Sequence, residues 1–147
     1  MSFPALLADI GGTHARFALA GESGGASPSI DLPSSGFGDL AAPAREALRR
    51  FAAGDIAAQG VRTAAVAVAG PIDGDAIELT NVSWRFSIEA TRRELGLERL
   101  IVVNDLVAYG WAIPTLAASE LETVCTGNVG RRGNRGVVAV GTAISPR

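Results

Sequence analysis

The chain has 147 residues, 48% of them hydrophobic, and a formal net charge of -2, which suits one buried core and leaves no basic excess for a nucleic-acid partner. All 13 basic residues are arginine, and without lysine neither a P-loop ending in Gly-Lys nor a protein-kinase strand lysine can be built. Cys125 is the single cysteine, so an internal disulfide and a clustered Cys/His zinc site are excluded and a small buried side chain is expected. No apolar run approaches the ~20 residues of a membrane helix and none follows a charged N-terminal segment, so no membrane partner and a soluble, cytoplasmic protein are expected.

Ala5–Ile10, an apolar run broken by Asp9, and Ala15–Ala20 flank Gly11-Gly12-Thr13 and read as strand, tight turn and strand. After the Gly- and Ser-rich stretch Gly21–Ser29, Ile30–Leu32 opens a third short strand before Pro33, which gives an antiparallel meander. Between Asp39 and Ala53 the residues Leu40, Ala44, Ala47, Leu48 and Phe51 recur at helical spacing, with Asp39 as cap and Gly54 as stop. Thr63–Ala69, almost entirely Ala and Val, predicts a strand covered on both faces and ended by Gly70-Pro71. Asp73-Gly74 marks a hairpin turn into Ala76–Leu79. Ser87 caps a helix through Leu95 that Gly96 closes, with Glu89 near its positive end. Leu100–Val103 is a second wholly apolar strand, ending in Asn104-Asp105, and the helix from about Leu106 stops near Pro114. Val137–Val140 is a last candidate strand, leading into Gly141-Thr142. The alternation of helix and strand from Asp39 onward makes the fold α/β.

Two places carry chemistry. In Asp9-Ile10-Gly11-Gly12-Thr13, both glycines remove the Cβ that would keep a backbone from a polyphosphate, so amides and a hydroxyl could cradle the anion. Asp9 beside that anion calls for a cation between them, Mg²⁺ held partly through water, and Arg16 could add a fixed positive charge. The same five residues also read as an ordinary hairpin whose glycines supply positive φ. The second place is Asn104-Asp105 at a strand end, where ligands gather in open α/β sheets. A carboxylate there could orient a substrate hydroxyl toward phosphorus and take its proton, with the adjacent amide bonding neighbouring hydroxyls. Alternatively, either residue simply caps the helix that follows.

The string Asp9-Ile10-Gly11-Gly12-Thr13-His14-Ala15-Arg16 resembles the opening phosphate motif of bacterial glucokinases, in the actin-like ATPase superfamily. Gly70-Pro71-Ile72, the segment from Leu79 through Trp84 to Ile88, Asn104-Asp105 and Ala112-Ile113-Pro114 follow that family in order and spacing. Other sugar kinases, actins and acetate kinases share the glycine motif; the Trp84 segment and the Asn104-Asp105 pair are the specific part.

The resemblance implies an α/β, ribonuclease H-like small lobe with a mixed sheet over residues 1–115, followed over 116–147 by the first strands of a larger, truncated lobe. It implies ATP-dependent phosphorylation of glucose to glucose 6-phosphate. Ala8, Asp9, Ile10, Gly11, Gly12 and Thr13 would hold the ATP phosphates, Asp105 would accept the proton of the sugar's 6-hydroxyl, Asn104 would orient neighbouring hydroxyls, and Asn81 would border the sugar cleft. Trp84 is expected to pack in the core, since Phe86 and Ile88 flank it. His14 stands where the family often has Asn, which argues against a catalytic histidine. The family runs on from its Gly-Thr into a second phosphate loop and a larger lobe, whereas Gly141-Thr142 is followed here only by Ala143–Arg147. The sequence thus reads as truncated and keeps two other readings open, a non-catalytic sugar-sensing or regulatory module and a remnant without activity. Homodimerisation is common in the family. The preferred hexose and phosphoryl donor are not legible.

Overall fold

The structure, a computed structural model, describes residues 3–54, 60–125 and 136–138. The chain divides into two compact units, the first reaching Asp105 and the second beginning at Leu106.

In the first unit, β1 (Ala5–Ile10), β2 (His14–Ala20) and β3 (Ile30–Pro33) form the expected antiparallel meander. The helix α1 (Ala41–Ala53) follows. Its first turn is tied down by Asp39, whose carboxylate accepts the Ala42 N–H at 3.0 Å, and Gly54 closes its last turn on the carbonyls of Arg50 and Phe51. The chain then enters β4 (Thr63–Val68), crosses a small hairpin of β5 (Ala76–Glu78) and β6 (Arg85–Ser87), and passes through α2 (Ile88–Glu94) into β7 (Arg99–Asn104). The main sheet has the order β3-β2-β1-β4-β7, with β1, β4 and β7 mutually parallel. It is therefore the mixed sheet that the family resemblance implied.

One apolar cluster joins Leu6, Ile10 and Phe17 of the meander to Phe51 of α1, to Val66 and Val68 of β4, and to Trp84. Burying a side chain of this size contributes roughly 1.5–3 kcal/mol. Strand alternation sends the intervening residues to the other face. There Leu7, Ala65, Ala67, Ile101 and Val103 are only half-buried, so β4 is not covered on both faces as its Ala/Val run suggested. Those alternate positions of β4 are alanines, whose small apolar area makes exposure cheap and whose periodicity says little about burial.

The chain bends at Gly74, whose φ is 81°, but the expected hairpin across Asp73-Gly74 does not form: the strand that follows pairs with β6, Ile77 opposite Phe86. The α2 cap is as expected: the Ser87 hydroxyl accepts the Ala90 N–H at 3.0 Å, and Gly96 at φ 66° follows the helix.

The second unit opens within α3 (Asp105–Ala112), followed by short 3-10 turns at Ile113–Thr115 and Ala118–Glu120. Val107, Tyr109 and Trp111 are exposed on it, as is Cys125, contrary to its expected burial. Of the candidate strand Val137–Val140, Val137 and Val138 form no strand; the remainder, with Gly141-Thr142, lies outside the described residues. Among the described residues no helix is long and apolar enough to cross a membrane.

Candidate functional site

Parallel pairing in register brings three strand ends level. Ile10 lies beside Val68, and Val68 beside Asn104, so the turn after β1 and Asn104-Asp105 after β7 are about two strand spacings, roughly 10 Å, apart. The ends are also tied to one another. The Ala69 N–H donates to the Ile10 carbonyl at 3.0 Å, and Asn104 Nδ2 donates to the Gly70 carbonyl at 3.0 Å.

The turn itself is closed by the Gly11 N–H on the His14 carbonyl at 2.9 Å. Neither Gly11 nor Gly12 has a positive φ, so the hairpin explanation for the glycines fails. Space is what Gly12 provides: a Cβ there would stand 2.9 Å from Asn81 Cβ and 3.2 Å from the Asn81 carbonyl oxygen. Asn81, expected near the sugar cleft, therefore lies directly against the Gly11-Gly12 turn. It is exposed and belongs to the loop bordering a cleft of about 530 Å³ between Glu78 and Arg85.

Ala8 and Ile10 turn their side chains into the core; of the expected phosphate-binding stretch, Asp9, Gly11, Gly12 and Thr13 are the residues at the surface. Arg16 sits opposite Asp9 in the register. Its guanidinium is engaged by two carboxylates, Asp31 at 3.3 Å and Asp9 at 4.0 Å, so its positive charge balances the sheet edge. Partial burial raises the Asp9 pKa; Arg16 opposes the rise and the charge of Asp105 adds to it. Asp105 opens α3, where a carboxylate is favoured by the helix dipole, so the capping and chemical readings are compatible at this position.

The Asp9 carboxylate offers the hard oxygen donors that Mg²⁺ prefers. Among the described residues no group of three or more metal-ligating side chains gathers, so a cation held by Asp9 would complete its shell with water and phosphate oxygens.

Trp84 has no exposed surface, in keeping with its expected packing role. Its ring meets Phe37 edge-on, with centroids 6.4 Å apart at 83°, and its indole N–H donates to the Ser34 carbonyl at 2.9 Å. Ser34 was not visible as a site residue from the sequence. It is fully buried, its hydroxyl donates to the Gly11 carbonyl at 2.8 Å, and its N–H donates to the Thr13 carbonyl at 2.9 Å. The only hint was a polar pair directly after the strand-ending Pro33.

A meander turned around Gly-Gly-Thr, set beside two parallel strands whose ends carry a second carboxylate, defines a lobe of the actin-like ATPase class. A sequence model of the glucokinase family matches residues 6–145. The chain belongs to the glucokinase family. It is 48% identical over 124 residues to a glucokinase of Paramagnetospirillum magneticum, covering 84% of this chain and 37% of that one. It is 41% identical over 143 residues to a protein named Bifunctional protein glk of Burkholderia thailandensis, covering 96% of this chain and 21% of that one. The crystal structure of a glucokinase from an Antarctic psychrotroph matches with a TM-score of 0.69 at 33% identity, over 81% of this chain and 37% of the other. A ROK family glucokinase from Streptomyces griseus, solved with glucose and AMPPNP, shares the fold at a TM-score of 0.53 and 22% identity, over 74% of this chain and 35% of its own. The chain thus spans between about a fifth and two fifths of the length of these relatives.

Proposed function

We propose that this chain supplies the phosphate-binding and base-bearing part of an ATP-dependent glucokinase, over a small lobe extending to about residue 115. The observation that carries the reading is the convergence of the Asp9–Thr13 turn, Asn81 and Asn104-Asp105 at one end of the sheet. Glucose and AMPPNP in the Streptomyces griseus relative are those of that protein; they support the same ligand pair for this family member.

In this reading Gly12 and Thr13 face the nucleotide phosphates. Asp9 would hold Mg²⁺, which when bound would neutralise charge on the transferring phosphoryl group. Arg16 fixes the Asp9 carboxylate. Asp105 accepts the proton of the sugar's 6-hydroxyl as that oxygen attacks phosphorus, and Asn104, itself anchored on Gly70, aligns the hydroxyls beside it. Asn81 closes the sugar side of the phosphate turn. Phosphoryl transfer asks mainly for such positioning and charge compensation.

The test compares the parent chain with Asp105→Asn in an assay that follows proton release on mixing glucose with Mg·ATP. A base contributes about 10²–10⁴ in rate, so the substituted chain should fall by at least about a hundredfold, and equal rates would remove Asp105 as the base. Calorimetric binding of glucose by a parent that does not turn over would favour the sugar-sensing reading.

A further inference from the structure

We infer that Ser34 is a positioning residue that presets the phosphate turn and couples it to the sugar-side loop. The inference rests on the function proposed above and adds a residue and a linkage to it. All three polar groups of Ser34 are used, and two of them hold the carbonyls of Gly11 and Thr13. A trans peptide is planar, with its C=O and the following N–H pointing in opposite directions. Turning the Gly11 carbonyl inward onto Ser34 therefore turns the Gly12 N–H outward, toward the position of an anion over the turn.

The third group makes the link. The Ser34 carbonyl accepts from the Trp84 indole, and Trp84 closes the loop that carries Asn81, its carbonyl accepting the Leu79 N–H at 3.1 Å. Asn81 in turn rests on Gly12. The contacts form a closed circuit, from turn to Ser34 to Trp84 to the Asn81 loop and back to the turn. A ligand that displaces one side must move the other, because the connecting residues Ser34 and Trp84 are fully buried and packed interiors do not deform gradually. Nucleotide and sugar should thus influence each other's affinity through Ser34.

The experiment titrates the parent, Ser34→Ala and Ser87→Ala with Mg·AMPPNP, with and without saturating glucose, by calorimetry. Ser87→Ala loses a helix-cap hydroxyl away from the circuit and controls for a general loss of stability. For Ser34→Ala the expected result is Mg·AMPPNP affinity lowered by roughly three- to tenfold, with the glucose effect on that affinity shrinking toward none; Ser87→Ala should match the parent. Should Ser34→Ala and Ser87→Ala behave alike while the parent binds, the linkage is overturned and the functional reading survives. Absence of binding by the parent overturns both.

A second measurement needs no change at Ser34. With Trp111→Phe, Trp84 is the sole tryptophan, and Mg·AMPPNP should shift its emission and its indole N–H resonance. An unmoved indole signal on saturation would also overturn the linkage.

Discussion

Gly12→Ala isolates the steric claim that the phosphate turn and the Asn81 loop touch. The added methyl would lie 2.9 Å from Asn81 Cβ, against an optimal carbon–carbon separation of about 3.5–4.0 Å. One side must therefore retreat by about 0.6 Å or more. Overpacking costs typically about 1–3 kcal/mol, and since Asn81 is exposed and its loop can shift, the lower end applies, about 1 kcal/mol. For a unit of this size that lowers Tm by about 4 °C. The functional loss should be larger, since the turn itself is displaced: Mg·AMPPNP affinity should fall by more than about tenfold, equivalent to about 1.4 kcal/mol. Calorimetric melting and titration of Gly12→Ala, Asn81→Gly and the double variant form a cycle in which Asn81→Gly removes the opposing Cβ. The double variant should recover most of the Tm lost by Gly12→Ala. Strictly additive losses would refute the argument, because independent sites add and touching ones do not.

Asp9→Asn should raise Tm at neutral pH. The folded pKa of Asp9 is raised, chiefly by burial, so its contribution is favourable below the ordinary value of 3.8 and is lost as pH rises through the folded value. The gain should thus vanish in melts run below the ordinary value of 3.8, and a gain independent of pH would contradict the assignment. Trp84→Phe keeps an aromatic ring but removes the donor to the buried Ser34 carbonyl, at a cost of about 1–3 kcal/mol readable by urea unfolding. Ser87→Ala removes the α2 cap, costing about 1 kcal/mol. It should also raise the Asp75 pKa in an NMR titration, because the Ser87 hydroxyl is the main reason that pKa is low. Chelating Mg²⁺ should abolish measurable AMPPNP binding at low salt, and metal-independent affinity would remove Asp9 from its proposed role.

The long elements were legible because their signals are redundant. Phe51 and its neighbours repeat at helical spacing between Asp39 and Gly54, Ala5–Ile10 is a mostly apolar run between Pro4 and Gly11, and Leu100–Val103 is an apolar run between Arg99 and Asn104. The three-residue strand β6 carries too few residues to show a period, so the partner of β5 could not be read. The alanines of β4 were over-read, since a methyl group tolerates either face. At the site, Asp9, Gly12 and Asp105 announced themselves by residue type, but their mutual geometry depends on a register that only long-range pairing fixes. Ser34 was hidden for a related reason: its partners Gly11, Thr13 and Trp84 are 23, 21 and 50 residues away in sequence. The glycines were recognised for a reason that proved incomplete, because close approach by Asn81 leaves no mark in the local sequence.

The charges at this edge of the sheet constrain what it can bind. Arg16 is engaged by both Asp9 and Asp31, and the charge of Asp105 also reaches Asp9, so among these four side chains negative charge is in excess. The outward Gly12 amide and the Thr13 hydroxyl add only dipoles. A polyphosphate approaching such a turn is repelled by the nearby carboxylates unless a divalent cation lies between, and the raised Asp9 pKa is the same repulsion and desolvation expressed without a ligand. On the proposed function, the carboxylate that weakens the unliganded fold is the one that would hold the cation: Asp9→Asn would exchange that anchor for stability, and a stronger hold of Arg16 on Asp9 would compete with the cation for the same oxygens.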